Sequence, residues 1–187
     1  MRRPAVLLLA GALMLLMLGG CASLKPQPKP LATAGDLQLS GRLTVQVAGD
    51  AGGRGRASGG NAGFELLGNP QAGQLELSTP LGSLVARASW RDGEVRLQTP
   101  EEERRFDDLD ALTRELLGEA IPVPALFDWL RGRPWPQAAS TPLSGTPAPP
   151  GFEQLGWRID LARFSEGLIV ATRPADPVVT LRARLDP

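Results

Sequence analysis

The sequence predicts a mainly β protein in which antiparallel strands in series curl into a barrel or half-barrel, with two short helices inserted mid-chain. Three observations support this prediction. Apolar and polar residues alternate from about residue 37, turn signals interrupt the alternation, and the apolar period lengthens to that of a helix between 107 and 131. Short alternating strands in series are typical of curled sheets, and we expect about eight to eleven of them.

The first 20 residues have the pattern of a secretory signal peptide. Arg2 and Arg3 precede an uncharged apolar run over 6–18, which ends in Gly19 and Gly20. The run is shorter than the roughly 20 apolar residues that a helix needs to span a bilayer. A basic start, an apolar middle and a small-residue exit indicate a cleaved signal, and an uncleaved membrane anchor is the alternative.

Cys21 is the expected first residue of the mature protein and the expected site of lipid attachment. It ends a string that resembles the lipobox of bacterial lipoproteins, Leu18-Gly19-Gly20-Cys21. An ordinary signal with an incidental cysteine is the competing interpretation, which is weakened because the chain has no second cysteine for a disulfide. The next two residues are Ala and Ser, not the aspartate that retains enteric-type lipoproteins in the inner membrane. The outer membrane, on its periplasmic side, is therefore the expected location.

We expect three regions: the signal peptide over 1–20, a lipidated N-terminus and Pro-rich tether over 21–35, and a single domain over 36–187. In the tether, prolines alternate with other residues over 25–30, which favours an extended spacer. Removal of the two signal arginines leaves a mature chain slightly more acidic than basic, without the clustered Lys and Arg of a nucleic-acid surface.

The composition argues against catalysis. The chain has no histidine and no tyrosine, its one cysteine is assigned to the anchor, and both lysines lie in the tether. The commonest general base, nitrogen metal ligand and thiol nucleophile are therefore missing. We expect no enzyme, cofactor or metal site, and a periplasmic hydrolase is excluded first among the candidate functions.

The first half of the domain is predicted to be a series of strands. Leu39, Leu43 and Val45 alternate with polar residues in the first strand, and a Gly-rich stretch over 49–63 is interpreted as a mobile hairpin end. The next strands are predicted at 63–67, 74–78, 83–90 and 94–98. The charged run over 101–105 is interpreted as a solvated loop.

Two helices follow. Asp107 or Asp108 is the expected N-cap of a helix that ends at Gly118, with one apolar stripe formed by Leu109, Leu112, Leu116 and Leu117. A second helix is predicted from 122–124 to Gly132, where prolines preset its first turn. The Pro-rich stretch 133–151 is expected to be irregular, with Trp135 exposed, before strands return at 156–162, 167–172 and 178–185.

Four segments in this order resemble the LolB family of outer-membrane lipoproteins, which receive other lipoproteins from a periplasmic carrier. No single motif is specific, but their order, their spacing and the lipobox together are. The segments are Leu39-Ser40-Gly41-Arg42-Leu43, the stretch 75–83, the stretch 117–124 leading to 129–132, and Gln154-Leu155-Gly156-Trp157. The Gly-rich hairpin, the absence of tyrosine and the Pro-rich 133–151 stretch depart from the family pattern.

The resemblance implies an unclosed antiparallel β-barrel with a short helical lid over an apolar cavity that takes acyl chains. It implies a function without a cofactor, in which acylated lipoproteins pass downhill from a LolA-like periplasmic carrier, through the cavity, to the outer membrane. A monomer is expected. The alternative function is that of a structural or assembly lipoprotein that docks on another envelope protein through its curled sheet.

The candidate cavity-lining residues are apolar side chains of the predicted strands and helices. Each methylene group favours such a lining over water by roughly 0.8 kcal/mol. Alternation alone does not distinguish a lining residue from a core residue, and Trp129 and Trp157 in particular have the character of core anchors. The candidates are Leu43, Val45, Phe64, Leu66, Leu75, Leu77, Leu112, Leu116, Leu126, Trp129 and Trp157.

Leu81 is the candidate membrane-insertion residue. It lies between Pro80 and Gly82, turn residues that place its side chain at a loop tip. The resemblance implies that the leucine at this place inserts the delivered lipoprotein into the bilayer. Single exposed leucines are also common and need no function.

Overall fold

The structure is a computed structural model, and it describes residues 37–49, 57–117 and 120–187. Several predictions fall outside these ranges: the signal peptide, Cys21, the Pro-rich tether, residues 50–56 of the Gly-rich hairpin end and Gly118. The part described is one compact unit.

In the ranges that the structure describes, eleven antiparallel strands form a single sheet that does not close on itself. Their order across the sheet is β6-β5-β4-β3-β2-β1-β11-β10-β9-β8-β7, so that β6 and β7 are the edges. The prediction of an unclosed barrel with inserted helices is confirmed. The strands are β1 (Leu37–Val47), β2 (Ser58–Gly68), β3 (Gly73–Ser78), β4 (Leu84–Arg91), β5 (Glu94–Gln98), β6 (Glu103–Phe106), β7 (Ser140–Pro142), β8 (Gly151–Gln154), β9 (Trp157–Asp160), β10 (Leu168–Arg173) and β11 (Val179–Leu185).

The register places the alternating apolar residues on one inner face. Leu43 of β1 lies opposite Ala62 of β2 and Ala183 of β11. Gly41 on the same strand is buried, and a Cβ there would collide with the backbone carbonyl oxygen of Arg184. Glycine at this inward position therefore lets the central strands β1 and β11 approach closely.

The two helices form a lid on the inner face of the sheet. Helix α1 (Leu109–Leu117) begins after Asp108, whose side chain accepts a hydrogen bond of 2.6 Å from the Ala111 N–H. Helix α2 (Val123–Trp129) carries a proline in its first turn and buries Phe127 and Trp129 almost completely. In the described ranges, neither helix has the length and apolar character needed to traverse a bilayer.

Four local predictions are wrong. Residues 58–63, interpreted as part of a mobile hairpin end, form the first half of strand β2 and pair with β1. The stretch 101–105 is not simply a loop, because residues 103–106 form the edge strand β6. The 133–151 stretch contains the short edge strand β7. Trp135 is half-buried and packs against the core instead of standing exposed.

Candidate functional site

Two apolar cavities lie between the inner face of the sheet and the lid. The larger, of about 110 Å³, lies beneath α1 and the start of α2 and faces β3, β4 and β5. The smaller, of about 30 Å³, lies beneath α2 and faces β2, β10 and β11. Both are bordered by Leu43, Leu75, Leu126 and Leu181, so that the two cavities are neighbours separated by shared leucines.

The lining of both cavities is almost wholly apolar. Among the described residues, Thr113 is the one polar residue that borders the larger cavity. Its hydroxyl accepts a hydrogen bond of 3.0 Å from the Ile121 N–H and donates one of 3.3 Å to the Asp110 carbonyl oxygen. Because its polar group already has partners, it does not offer water a binding site, and apolar cavities of this kind stay dry.

The cavities are small for a ligand of acyl-chain size. Pockets that bind small molecules usually have volumes of about 300–1,000 Å³. The cavity volumes of about 110 and 30 Å³ describe a closed state. An acyl chain therefore enters only if the lid shifts away from the sheet.

Ten of the eleven candidate lining residues border one or both cavities. Trp157 does not; it is buried, and its ring lies 6.0 Å from that of Trp129 at an angle of 52°. Trp129 itself borders the smaller cavity. The ten are Leu43, Val45, Phe64, Leu66, Leu75, Leu77, Leu112, Leu116, Leu126 and Trp129.

The sequence interpretation missed lining residues on four strands, β4, β5, β10 and β11, and on the lid. Leu181 borders both cavities, and the alternation of Val179, Leu181 and Ala183 along β11 was the signal that could have found it. The residues between the helices gave no periodic signal. The missed residues are Ala86, Ala88, Leu97, Thr113, Ile121, Val123, Leu130, Ile169, Ala171, Leu181 and Ala183.

Helix α1 is attached to the sheet edge by an ion pair. Arg104 of β6 lies at an inward position of its strand, pairs with Glu115 of α1, and places its guanidinium 5.1 Å from the centre of the Phe106 ring. The hydrogen bond to Glu115 raises the pKa of Arg104. Leu116, next to Glu115, borders the larger cavity yet is 47% exposed, so this side of the lid is also the side nearest to water.

Helix α2 is attached by a buried polar network. The Gln154 side chain is 2% exposed, and its carbonyl oxygen accepts hydrogen bonds of 2.8 Å from the Trp129 indole and from the Trp135 backbone N–H. Its amide nitrogen donates to the carbonyl oxygens of Trp135 and Ala138, each at 2.8 Å. Every polar atom of this buried amide is thus used. Gln154 fixes α2 and the chain after it more firmly than the exposed ion pair fixes α1.

The turn between β3 and β4 holds Leu81 in water. The Gly82 N–H donates to the Thr79 carbonyl at 2.9 Å, the Thr79 N–H donates to the Ser83 carbonyl at 2.9 Å, and Gly82 has a φ of 83°. These bonds define a three-residue hairpin loop, Pro80 to Gly82, that needs glycine at its last position. Leu81, at the tip, is 95% exposed. The hydrogen-bonded turn therefore holds the Leu81 side chain in solvent, away from the core.

Comparisons with known proteins agree over most of the chain. Residues 36–179 match the family model described as "Outer membrane lipoprotein LolB". The chain is similar to the outer-membrane lipoprotein LolB of Bordetella petrii, with 35% identity over 84% of this chain and 80% of that protein. It is 37% identical to the same protein of Bordetella pertussis, over 81% of this chain and 76% of that one. With the Thiobacillus denitrificans protein, identity is 38% over 88% of this chain and 84% of that one.

Proposed function

This chain belongs to the LolB family, and we propose that it accepts acylated lipoproteins from a periplasmic carrier and inserts them into the outer membrane. The observation that carries the proposal is the pair of dry, apolar cavities beneath a helical lid on the concave face of the sheet. No bond needs to be made or broken in such a transfer. In this transfer, the acyl chains of the cargo pass from one apolar environment to another.

The cavities supply a reason for the acyl chains to leave water. Each methylene group that moves from water to an apolar surface is stabilised by roughly 0.8 kcal/mol. Because the two cavities are separated only by the leucines that they share, a rearrangement of these side chains, Leu126 among them, merges the cavities when α1 moves outward. Entry of an acyl chain then exchanges contacts between lid and sheet for contacts between chain and lining.

The lid opens from the α1 side in this proposal. Its attachment there is the exposed pair of Arg104 and Glu115, whose mutual attraction is screened by water and salt. The attachment of α2 through Gln154 is buried and fully hydrogen-bonded. Helix α1 therefore swings more readily, with α2 as the firmer side.

The turn with Leu81 is the proposed membrane-insertion site. A leucine that is 95% exposed on a rigid turn enters the acyl boundary of a bilayer without disturbing the fold. Pro80 and Gly82 serve to hold it there. The proposed lipid anchor at Cys21 holds the protein on the periplasmic side of the outer membrane.

The test of acceptance is transfer from a loaded carrier to a soluble domain in which Cys21 is replaced by alanine. Radiolabelled lipoprotein bound to the carrier is mixed with the domain, and the two proteins are then separated. We expect label to move to the domain without nucleotide or metal. If the domain takes no cargo and binds no fluorescent fatty acid, acceptance is refuted, and docking on another envelope protein is the function that remains.

A further inference from the structure

Leu81 shares its end of the sheet with two other apolar loop tips. Strand β1 runs from Leu37 towards Val47, and Val47 pairs with Val179 at the start of β11. The connection before β11, which holds Val178, therefore lies at the far end from Leu37. Antiparallel pairing through β10, β9 and β8 places the Leu155 turn at this same end, and pairing through β2 places the Leu81 turn there too.

Exposed apolar side chains are concentrated at this end. In the part of the chain that the structure describes, six large apolar residues are exposed. Four belong to this end: Leu81 at 95%, Leu155 at 46%, Val85 at 43% and Val178 at 40%. Leu81, Leu155 and Val178 lie on three different loops, and Val85 is the second residue of strand β4. Isolated apolar tips fit a deformable, fluid surface better than the continuous interface of about 1,200–2,000 Å² that a stable protein partner requires.

Leu155 is held in a conformation that disfavours leucine. Gln154 pairs with Trp157, so Leu155 and Gly156 form a two-residue hairpin loop, with φ values of 53° and 76°. A loop with two positive φ values favours Asn, Asp or Gly at its first position. An exposed leucine there costs folding free energy and gains little packing. Strain of this kind, observed at an exposed site, points to a function for the side chain.

The chain before the domain is long enough for this end to meet the anchoring membrane. Fifteen residues separate Cys21 from Leu37. A chain of that length spans at most about 50 Å. The eleven residues of β1 rise about 36 Å at the spacing of a strand. A domain that is anchored through Cys21 can therefore turn its far end back to the same bilayer.

From these observations we propose that the whole Leu81 end of the sheet is the membrane-contact face, with Leu155 and Val178 entering the phospholipid bilayer beside Leu81. The inference rests on the proposed function and extends it from one residue to a surface. In the part of the chain that the structure describes, the charged residues at this end are of both signs, among them Glu153 opposite Arg158, and Arg173 and Asp176 before Val178. We therefore expect apolar contact, and not attraction to anionic lipid, to drive the binding.

The test maps the contact face in the lipidated full chain reconstituted into phospholipid vesicles. Leu81, Leu155 and Val178 are replaced singly by cysteine and labelled with a polarity-sensitive dye. Gln71→Cys, in the exposed turn at the opposite end, is the matched control. Some of the phospholipid carries a quencher in its upper acyl chain. We expect blue-shifted, quenched emission at 81, 155 and 178, unchanged by added salt, and emission typical of water at 71.

Two results overturn the proposal: positions 155 and 178 behave like 71, or all four positions are equally quenched. The unsubstituted chain serves as a further control, because an acylated Cys21 leaves no thiol to label. Labelling of that chain refutes the anchor and not the contact face. Failure of the proposed function itself is separately visible as a soluble domain that captures no cargo from the carrier.

A second experiment separates contact from folding. Leu155→Asn suits the two-residue turn, so we expect a urea unfolding midpoint that is unchanged or higher. Combined with Val178→Thr, which conserves side-chain shape, it should slow delivery to vesicles several-fold while capture from the carrier stays at the parent rate. Delivery at the parent rate by the double variant contradicts the proposal.

Discussion

Leucines occupy two opposite environments in this protein. Leu126 borders both cavities beneath the lid, among apolar neighbours. Leu81 stands on a hydrogen-bonded turn and is 95% exposed to water. A leucine side chain is thus packed against apolar neighbours beside a cavity in one region and is without packing contacts in the other.

The difference indicates how the proposed transfer is directed. In that proposal, the cavity attracts acyl chains but admits them only when the lid moves. The turn makes no packing contact that membrane insertion would disrupt. Substitutions should therefore separate the two regions, since those in the cavity alter stability and capture together, whereas those at the turn leave both unchanged.

The largest effect on stability is expected for Leu66→Ala. Leu66 is 1% exposed and borders the smaller cavity, so that truncation removes buried contacts and enlarges a void. We expect a loss of about 3 kcal/mol in the free energy of unfolding, measured by urea denaturation. Leu81→Ala is the matched control, with a change of no more than about 0.5 kcal/mol. Similar losses of unfolding free energy in the two variants would contradict the distinction between a packed and an unpacked region.

A smaller effect, on the affinity for an acyl chain, is expected when a bulkier side chain replaces one of the leucines that separate the two cavities. Leu126→Trp places a larger side chain where the two cavities meet and where an acyl chain must lie. We expect the affinity for a fluorescent fatty acid to fall about tenfold, equivalent to about 1.4 kcal/mol. Leu155→Trp adds the same side chain outside the cavities and should leave this affinity unchanged. Undiminished affinity in Leu126→Trp would place the acyl site elsewhere.

The smallest effect is expected at the α1 attachment. Glu115→Gln removes the charge that pairs with Arg104, so the lid should open more often and fatty-acid uptake should be several-fold faster in stopped-flow fluorescence. High salt should bring the parent towards the rate of the variant, because it screens the pair. The control is Glu166→Gln, which breaks the Arg163–Glu166 pair, an exposed pair that does not involve α1, and should not change uptake. Equal uptake rates in the parent and in Glu115→Gln would mean that the ion pair at α1 does not control the opening of the lid.

The main strands and both helices were predictable because their patterns are local. Strand β6 was not, because its inward Arg104 is a charge that finds Glu115 and Phe106 only after folding. Strand β7 has three residues and includes Pro142, too few for alternation to appear. These edge strands depend on tertiary contacts that a single sequence does not display.

The cavity was predictable in composition and less so in its boundaries. Alternation identified inward residues such as Leu43 and Leu75, yet it assigned Trp157 to the lining. Trp157 is also buried on β9, but it packs against Trp129 and borders neither cavity. Which inward residues meet a cavity depends on where the lid lies. The Leu81 turn was visible because Pro80 and Gly82 are local signals.

The most direct test of the account is one two-step transfer, followed in the same reaction from loaded carrier to soluble domain to vesicles. For Leu81→Glu we predict capture at the parent rate, followed by accumulation of cargo on the domain and little delivery to vesicles. For Leu126→Trp we predict weak capture, so that little cargo is available to deliver. Delivery by Leu81→Glu equal to that of the parent would contradict the assignment of capture and insertion to separate regions.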